Sequence, residues 1–295
     1  MVDVAECVIC GASIARTKRG MVAPFLARRI WNRSTFPVRL AECGKCGFAF
    51  FAPRLDQEEE KRLYAGYRKP EYQQMRQSLE PWYTVKFNYG LSGPEAWQLR
   101  KRCLEKALRD HLSPDRQVIG SVLDFGGDRG DLIAALVPNA KHYVYDISGV
   151  EPLPGIELLR SLDRCKQYHF DLVLTSNVLE HVGFPRDLMH QVAEIASPGT
   201  LVFNEVPYES ATGARTMAKR VAQAVILGVM LPRVAWSLLR PGGLNLMHEH
   251  VNFFSPQSLE SLMQATGWKV LASGVYRQGD SVWSHQVAWS LAQVV

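Results

Sequence analysis

The sequence predicts an α/β fold: a mostly parallel sheet that ends in an antiparallel hairpin, preceded by a small cysteine-anchored domain. Three observations carry this reading. A strand, glycine turn, helix and strand follow one another from Ser121 to Ile147. A second apolar strand, DLVLT, is followed by Asn177, Glu180 and His181. Two C-x-x-C-G knuckles stand near the amino terminus, at Cys7/Cys10 and Cys43/Cys46.

At 295 residues the chain has room for two domains, or for one with an appendage. With 47% apolar and 21% charged residues it can bury a real core, which excludes a disordered chain. The net charge of +5 permits an anionic acceptor, such as a nucleotide or phosphate ester, without requiring nucleic acid. Met1 to Cys7 carries Asp3 and Glu6 and no long apolar run, so no amino-terminal signal is expected. No stretch reaches the ~18 apolar residues of a membrane span. A cytoplasmic location is expected, where paired cysteines serve as metal ligands more often than as disulfides. The expected domains are 1–54 around the knuckles, a helical linker or lid over 55–115, and the α/β core over 116–295.

Two residues between thiolates let one tight turn present both sulfurs to one ion. Two such turns make a closed four-sulfur site, which Zn2+ fills in a structural role. Cys7, Cys10, Cys43 and Cys46 are its expected ligands. Cys103 and Cys165 stand alone and read as buried thiols. The segment between the knuckles is basic, with Phe25, Trp31 and Phe36 interleaved. It reads as a small aromatic core with a basic rim, or as a nucleic-acid reader.

Asp56 is placed to cap a helix over 55–67, with acids in its first turn. Tyr64, Tyr67, Tyr72, Trp82, Tyr83, Phe87 and Tyr89 then crowd together, as packing residues or a cleft wall. A further helix is expected over 94–112, stopped by Ser113-Pro114.

In the core, Asp124 ends the first strand, and Gly126, Gly127 and Gly130 form a turn that side chains would obstruct. A helix is expected over 131–137 and a strand over 142–147, carrying Asp146. An acid about 20 residues beyond a glycine turn suits a ribose diol. A nicotinamide fingerprint fits poorly, because position 125 is Phe and Asp128 would face a pyrophosphate. The pattern present is D-x-G-x-x-x-G: Asp124, Gly126, Gly130. GIELLRSL reads as a third strand, reached without room for the usual crossover helix. Adenine contacts are expected near Leu162 and Asp163.

A helix over 187–196 and the strand TLVFNEVP follow, with Asn204 and Glu205 expected on the rim. An insertion at about 210–243 reads as a cap over the substrate or the face of a homodimer; its apolar run is too short to span a bilayer. Ser255 and Pro256 cap and open a helix that Gly267 closes. Trp268–Tyr276 and Val282–Leu291 form the final hairpin.

The glycine loop resembles the first motif of class I S-adenosylmethionine-dependent methyltransferases, with Asp128 where that family usually has a glycine. FDLVLTSNVLEH, residues 170–181, resembles the family's fourth-strand motif. Glu249-His250 and Phe254-Ser255 resemble the E-H-x-x-x-F-S block of methyltransferases that act on sugars and related small metabolites, some with an amino-terminal cysteine zinc module. The resemblance implies a Rossmann-like core and S-adenosyl-L-methionine as donor. It implies donor binding by Asp124, Gly126, Gly127, Asp128, Gly130, Asp146 and Asn177. It implies catalysis by His250, oriented by Glu249, with His181 second. The expected acceptor is a sugar or nucleotide-sugar hydroxyl or carbon, as in carbohydrate biosynthesis. Two alternatives stay open: a nucleic-acid or protein-binding zinc ribbon with an inactive core, and an RNA methyltransferase.

Overall fold

A computed structural model describes residues 1–67, 69–83, 94–114, 118–209, 214–230, 245–278 and 285–294. Phe87, Tyr89, residues 279–284, where part of the last expected strand falls, and much of the 210–243 insertion lie outside these. The chain forms two compact units, each assembled from separate stretches.

The first unit comprises Met1–Tyr89, Glu180–Phe184 and Glu209–Phe253. It contains β1 (Ile14–Val22), α1 (Pro24–Trp31), β2 (Pro37–Cys43), β3 (Ala49–Ala52), α2 (Gln57–Tyr64) and α3 (Pro70–Leu79). The order β10-β3-β2-β1-β9 describes its sheet, where β9 is Leu246–Met247 and β10 is Asn252–Phe253. Phe25, Leu26, Ile30, Phe51, Leu63 and Tyr72 fill its core. The aromatic residues between the knuckles are packing residues: Trp31 and Phe36 meet edge to face at 5.0 Å. The Asp56 cap forms a full capping box with Glu59, and the chain's own amino terminus rests on both acids.

Arg54, fully buried, ties this unit together. It donates to the carbonyls of Phe51, Val182, Gly183 and Val251. One side chain therefore fastens the 180–184 and 249–253 stretches to the end of β3. The cost of burying the guanidinium is visible, since burial pulls it down to about 9.

The second unit comprises Gly90–Leu179, Pro185–Tyr208 and Phe254–Val295. It holds α4 (Pro94–His111), β4 (Ser121–Phe125), α5 (Asp131–Leu136), β5 (Lys141–Tyr145), β6 (Ile156–Leu158), α6 (Leu162–Cys165) and β7 (Leu172–Ser176). After these come α7 (Pro185–Ile195), β8 (Leu201–Pro207), α9 (Pro256–Ala265), β11 (Trp268–Gln278) and β12 (His285–Val294). The insertion helix α8, Ala214–Met230, belongs to the first unit.

The sheet order is β11-β12-β8-β7-β4-β5-β6, parallel from β8 to β6 and antiparallel at the closing hairpin. This is the mostly parallel, Rossmann-like sheet expected from the sequence. Strand order reverses at β4, which pairs with β5 on one side and β7 on the other. Ligands of such sheets bind beyond the carboxyl ends of the strands at that switch point.

The stretch from β5 to β6 makes its parallel connection through a loop, as the short spacing led one to expect, and β6 is three residues long, shorter than the strand read over 155–162. One expectation needs correction. Asn204 and Glu205 do not share the rim. Successive strand residues point to opposite faces. Asn204 is buried between Thr175, Met263 and Ser290, and Glu205 forms a buried ion pair with Arg100 at 2.9 Å.

Candidate functional site

At the switch point, the glycine turn wraps around Asp124. A Cβ on Gly127 would land on the Asp124 carboxyl group, so only glycine lets the loop close over it. Asp128 occupies the left-handed region, φ 52°, which aspartate tolerates better than most residues. Its backbone N–H donates to Asp146 Oδ2 at 2.9 Å, and Ser148 N–H donates to Oδ1 at 2.7 Å. The acid after β5 is thus fastened to the glycine turn. Each carboxylate oxygen keeps a second lone pair for a ligand. Asn177 follows β7 with φ 56°, its N–H donating to the Glu205 carbonyl at 2.9 Å.

Asp124 is 2% exposed, and burial pushes its carboxyl up to about 7. Arg100 opposes that shift, while Asp146, Glu205 and Asp128 add to it. Three acids, Asp124, Asp128 and Asp146, gather around the turn, while Glu205 is matched by Arg100. Gly127→Ala is expected to displace Asp124, weaken donor binding and lower the melting temperature. An unchanged melting curve and donor isotherm would contradict this packing.

In the first unit the four knuckle sulfurs converge. Cys7 Sγ lies 3.8 Å from Cys46 Sγ, and Cys10 Sγ lies 3.5 Å from Cys43 Sγ. All four lie within 4.8 Å of one another. Zinc–sulfur bonds of about 2.3 Å place tetrahedral sulfurs about 3.8 Å apart, so the donor set fits that ion. Gly11 and Gly47 turn the backbone with φ of 69° and 70°. The Lys45 N–H points to Cys43 Sγ at 3.4 Å. A hydrogen bond from Cys46 is the largest influence on Cys7, whose thiol falls to about 5, while Cys46 is pushed up by that same bond and Cys10 by burial.

The same unit gathers the two Glu-His pairs. Val251 and Asn252 N–H groups both donate to the Glu180 carbonyl, at 2.9 and 3.1 Å. The rings of His181 and His250 meet edge to face at 4.9 Å. His181 Nδ1 lies 3.2 Å from the Glu249 carbonyl, which can only accept, so Nδ1 carries the hydrogen. Its Nε2 lies 3.7 Å from Glu180 Oε1. One ligand atom each of Glu180, His181 and His250 lies within 4.8 Å of the others, close enough to share a proton or to hold a cation.

The expected pairing of Glu249 with His250 does not occur. The Glu249 carboxylate accepts from Tyr72 Oη at 2.7 Å and from Arg76. Arg76 also bonds Glu80, which in turn meets His248 Nδ1 at 2.6 Å. Glu249 is therefore held by a buried cation that outcompetes a neighbouring imidazole. Glu209 is the carboxylate on His250, with Oε2 at 3.5 Å from Nδ1. The two histidines diverge. Burial, then the charge of His250, holds His181 well below the ordinary histidine range. Burial also lowers His250, but Glu209, with the charges of Glu180 and Glu249, offsets it and the net shift is upward.

Sequence reasoning missed Glu209, Arg76 and Glu80. None of them belongs to a motif, and each reaches its partner only through the fold.

Residues 97–273, more than half of the chain, match the family described as Methyltransferase domain. The chain belongs to that family. It is a S-adenosylmethionine-dependent methyltransferase, as its two core motifs led one to expect. No curated protein sequence matches this methyltransferase. Among solved structures it is similar to 1,6-didemethyltoxoflavin-N1-methyltransferase of Burkholderia thailandensis, with bound 1,6-didemethyltoxoflavin and S-adenosylhomocysteine. That match has 13% identity and a TM-score of 0.48, covering 88% of this chain and 96% of the other. It is also similar to the N-methyltransferase NodS of Bradyrhizobium japonicum WM9, at 13% identity and a TM-score of 0.36, covering 70% and 99%. Among the described residues, no helix is long and apolar enough to cross a membrane.

Proposed function

We propose that this methyltransferase moves the sulfonium methyl of S-adenosylmethionine to a hydroxyl or carbon of a sugar-like small metabolite, with a nucleotide-sugar as the leading candidate. The observation that carries the acceptor side is the convergence of Glu180 and His181 with His250, far apart in sequence, into one cluster. The sugar class rests on the resemblance of the second pair and its Phe254-Ser255 to the sugar-modifying block.

On the donor side, Asp146 accepts from the ribose hydroxyls. Asp124 faces the methionine ammonium, and amides of the Gly126–Gly130 turn meet the carboxylate. In the transfer, the methyl–sulfur bond breaks as the bond from acceptor to methyl forms. The sulfonium becomes a neutral thioether, and the acceptor's proton passes to His250. A positioned base contributes roughly 10² to 10⁴ in rate. His181, held neutral, stays available as a hydrogen-bond partner for the acceptor. The four-cysteine site holds Zn2+ in a structural role, because four thiolates leave no open position for chemistry. Paired cysteines that serve as thiolate ligands suit a reducing, cytoplasmic setting.

Calorimetry with S-adenosylmethionine tests the donor side. Asp146→Ala is expected to weaken binding by roughly 10- to 100-fold, the scale of a lost charged hydrogen bond. Asp146→Asn keeps an acceptor for the turn and separates ligand loss from loop collapse. Wild-type protein without donor affinity, or an unchanged isotherm in both variants, would remove the donor assignment. For the acceptor, nucleotide-sugars are incubated with labelled donor; methylation that survives His250→Asn would remove the base.

A further inference from the structure

The imidazole of His250 has two nitrogens, and only one can take the acceptor's proton. Which one depends on what the other already holds. Four acidic or basic side chains face this ring: His181 at 4.9 Å between centroids, Glu209 at 3.5 Å from Nδ1, and the Glu180 and Glu249 carboxylates through their charge. Glu249 is committed to Arg76 and Tyr72, whereas Glu209 reaches a ring nitrogen directly. In sequence, Glu209 follows the last residue of β8 by two positions and Glu180 follows that of β7 by four.

We propose that Glu209 is the positioning residue of His250: its carboxylate holds the Nδ1 hydrogen, which leaves the Nε2 lone pair to accept the proton. This rests on the role of His250 proposed above. The physical argument is the geometry. A carboxylate can only accept, so a contact at Nδ1 selects the tautomer with hydrogen there. The same negative charge stabilises the imidazolium once the proton has arrived. The upward shift of His250 against burial agrees with that arrangement. Both partners are partly exposed, at 30% for Glu209 and 37% for His250, so the pair orients more than it stabilises.

The test is a pH titration of the full-length, zinc-loaded protein, labelled with ¹⁵N-histidine, in wild type, Glu209→Gln and Glu209→Asp. The His250 signals are assigned by their loss in His250→Asn. In Glu209→Gln the His250 midpoint is expected to move down, and its neutral form to lose its preference for hydrogen on Nδ1. Glu209→Asp should fall between the two. Donor affinity and zinc content should stay at wild-type values, which shows that the fold is intact. An unchanged midpoint and tautomer in Glu209→Gln overturns the proposal. So does displacement of the His250 signal by a second equivalent of Zn2+, which would assign the cluster to a cation. Survival of methyl transfer in His250→Asn, with the Glu209 effect intact, would instead count against the base and not against the pairing.

Discussion

Cys43→Ser is expected to abolish the zinc binding proposed for the four-cysteine cluster and to lower the melting temperature of the cysteine-bearing unit by more than 10 °C, on the order of several kcal/mol for a unit of this size. The reason is geometric. Cys10 and Cys43 face each other at 3.5 Å, as Cys7 and Cys46 do at 3.8 Å, so serine at one corner breaks a four-ligand cage. Cys43 also ends β2, so the loss is felt by the sheet. Cys103→Ser is the matched control, since Cys103 takes no part in the cluster. Metal analysis and thermal melting read the outcome together. A Cys43→Ser protein with one zinc per chain and a wild-type melt would show that the cage is not a metal site.

Asp124→Asn is expected to stabilise the ligand-free protein above pH 7 while weakening donor binding at least tenfold. Asp124 is buried among Asp146, Glu205 and Asp128, and its carboxyl is pushed up to about 7. An unfolded aspartate titrates near 3.9. Between those two values the folded chain holds a proton that the unfolded chain has lost. Stability therefore falls as pH rises from about 4 to about 7, and levels off above. The integrated cost is on the order of 4 kcal/mol, with the opposing charge of Arg100 already counted in it. Asparagine keeps the shape, removes the charge and should abolish that slope. If Asp124 meets the donor's ammonium, donor binding near pH 7 also expels the proton. Calorimetry in buffers of different ionisation enthalpy measures that release directly. Equal heats in all buffers, together with an unchanged pH slope in Asp124→Asn, would contradict the assignment.

These effects were legible in the sequence to different degrees. The glycine turn, Asp124 and the two knuckles could be read because each is built by residues close in the chain. The Asp56 cap and the Ser255-Pro256 helix start could be read for the same reason. Asn204 and Glu205 were misjudged because adjacency in a strand puts side chains on opposite faces, and only the sheet shows which face each takes. Glu249 was misassigned because the resemblance to the E-H-x-x-x-F-S block carried it over as the partner of His250. Arg76, a charged side chain of α3, decides the matter instead. Glu209 carried no local signal, since its value lies in a contact that exists only after 209 and 250 have been brought together by the fold.

Arg54 carries a consequence for how the polypeptide can be divided. Its acceptors come from residues 51, 182, 183 and 251, so its positive charge is matched only after most of the message has been translated. An excised amino-terminal fragment would leave that guanidinium in an apolar setting with most of its oxygens missing. The knuckle region is therefore not a detachable module to be grafted elsewhere, and truncation libraries should find soluble products only when the later stretches travel with it.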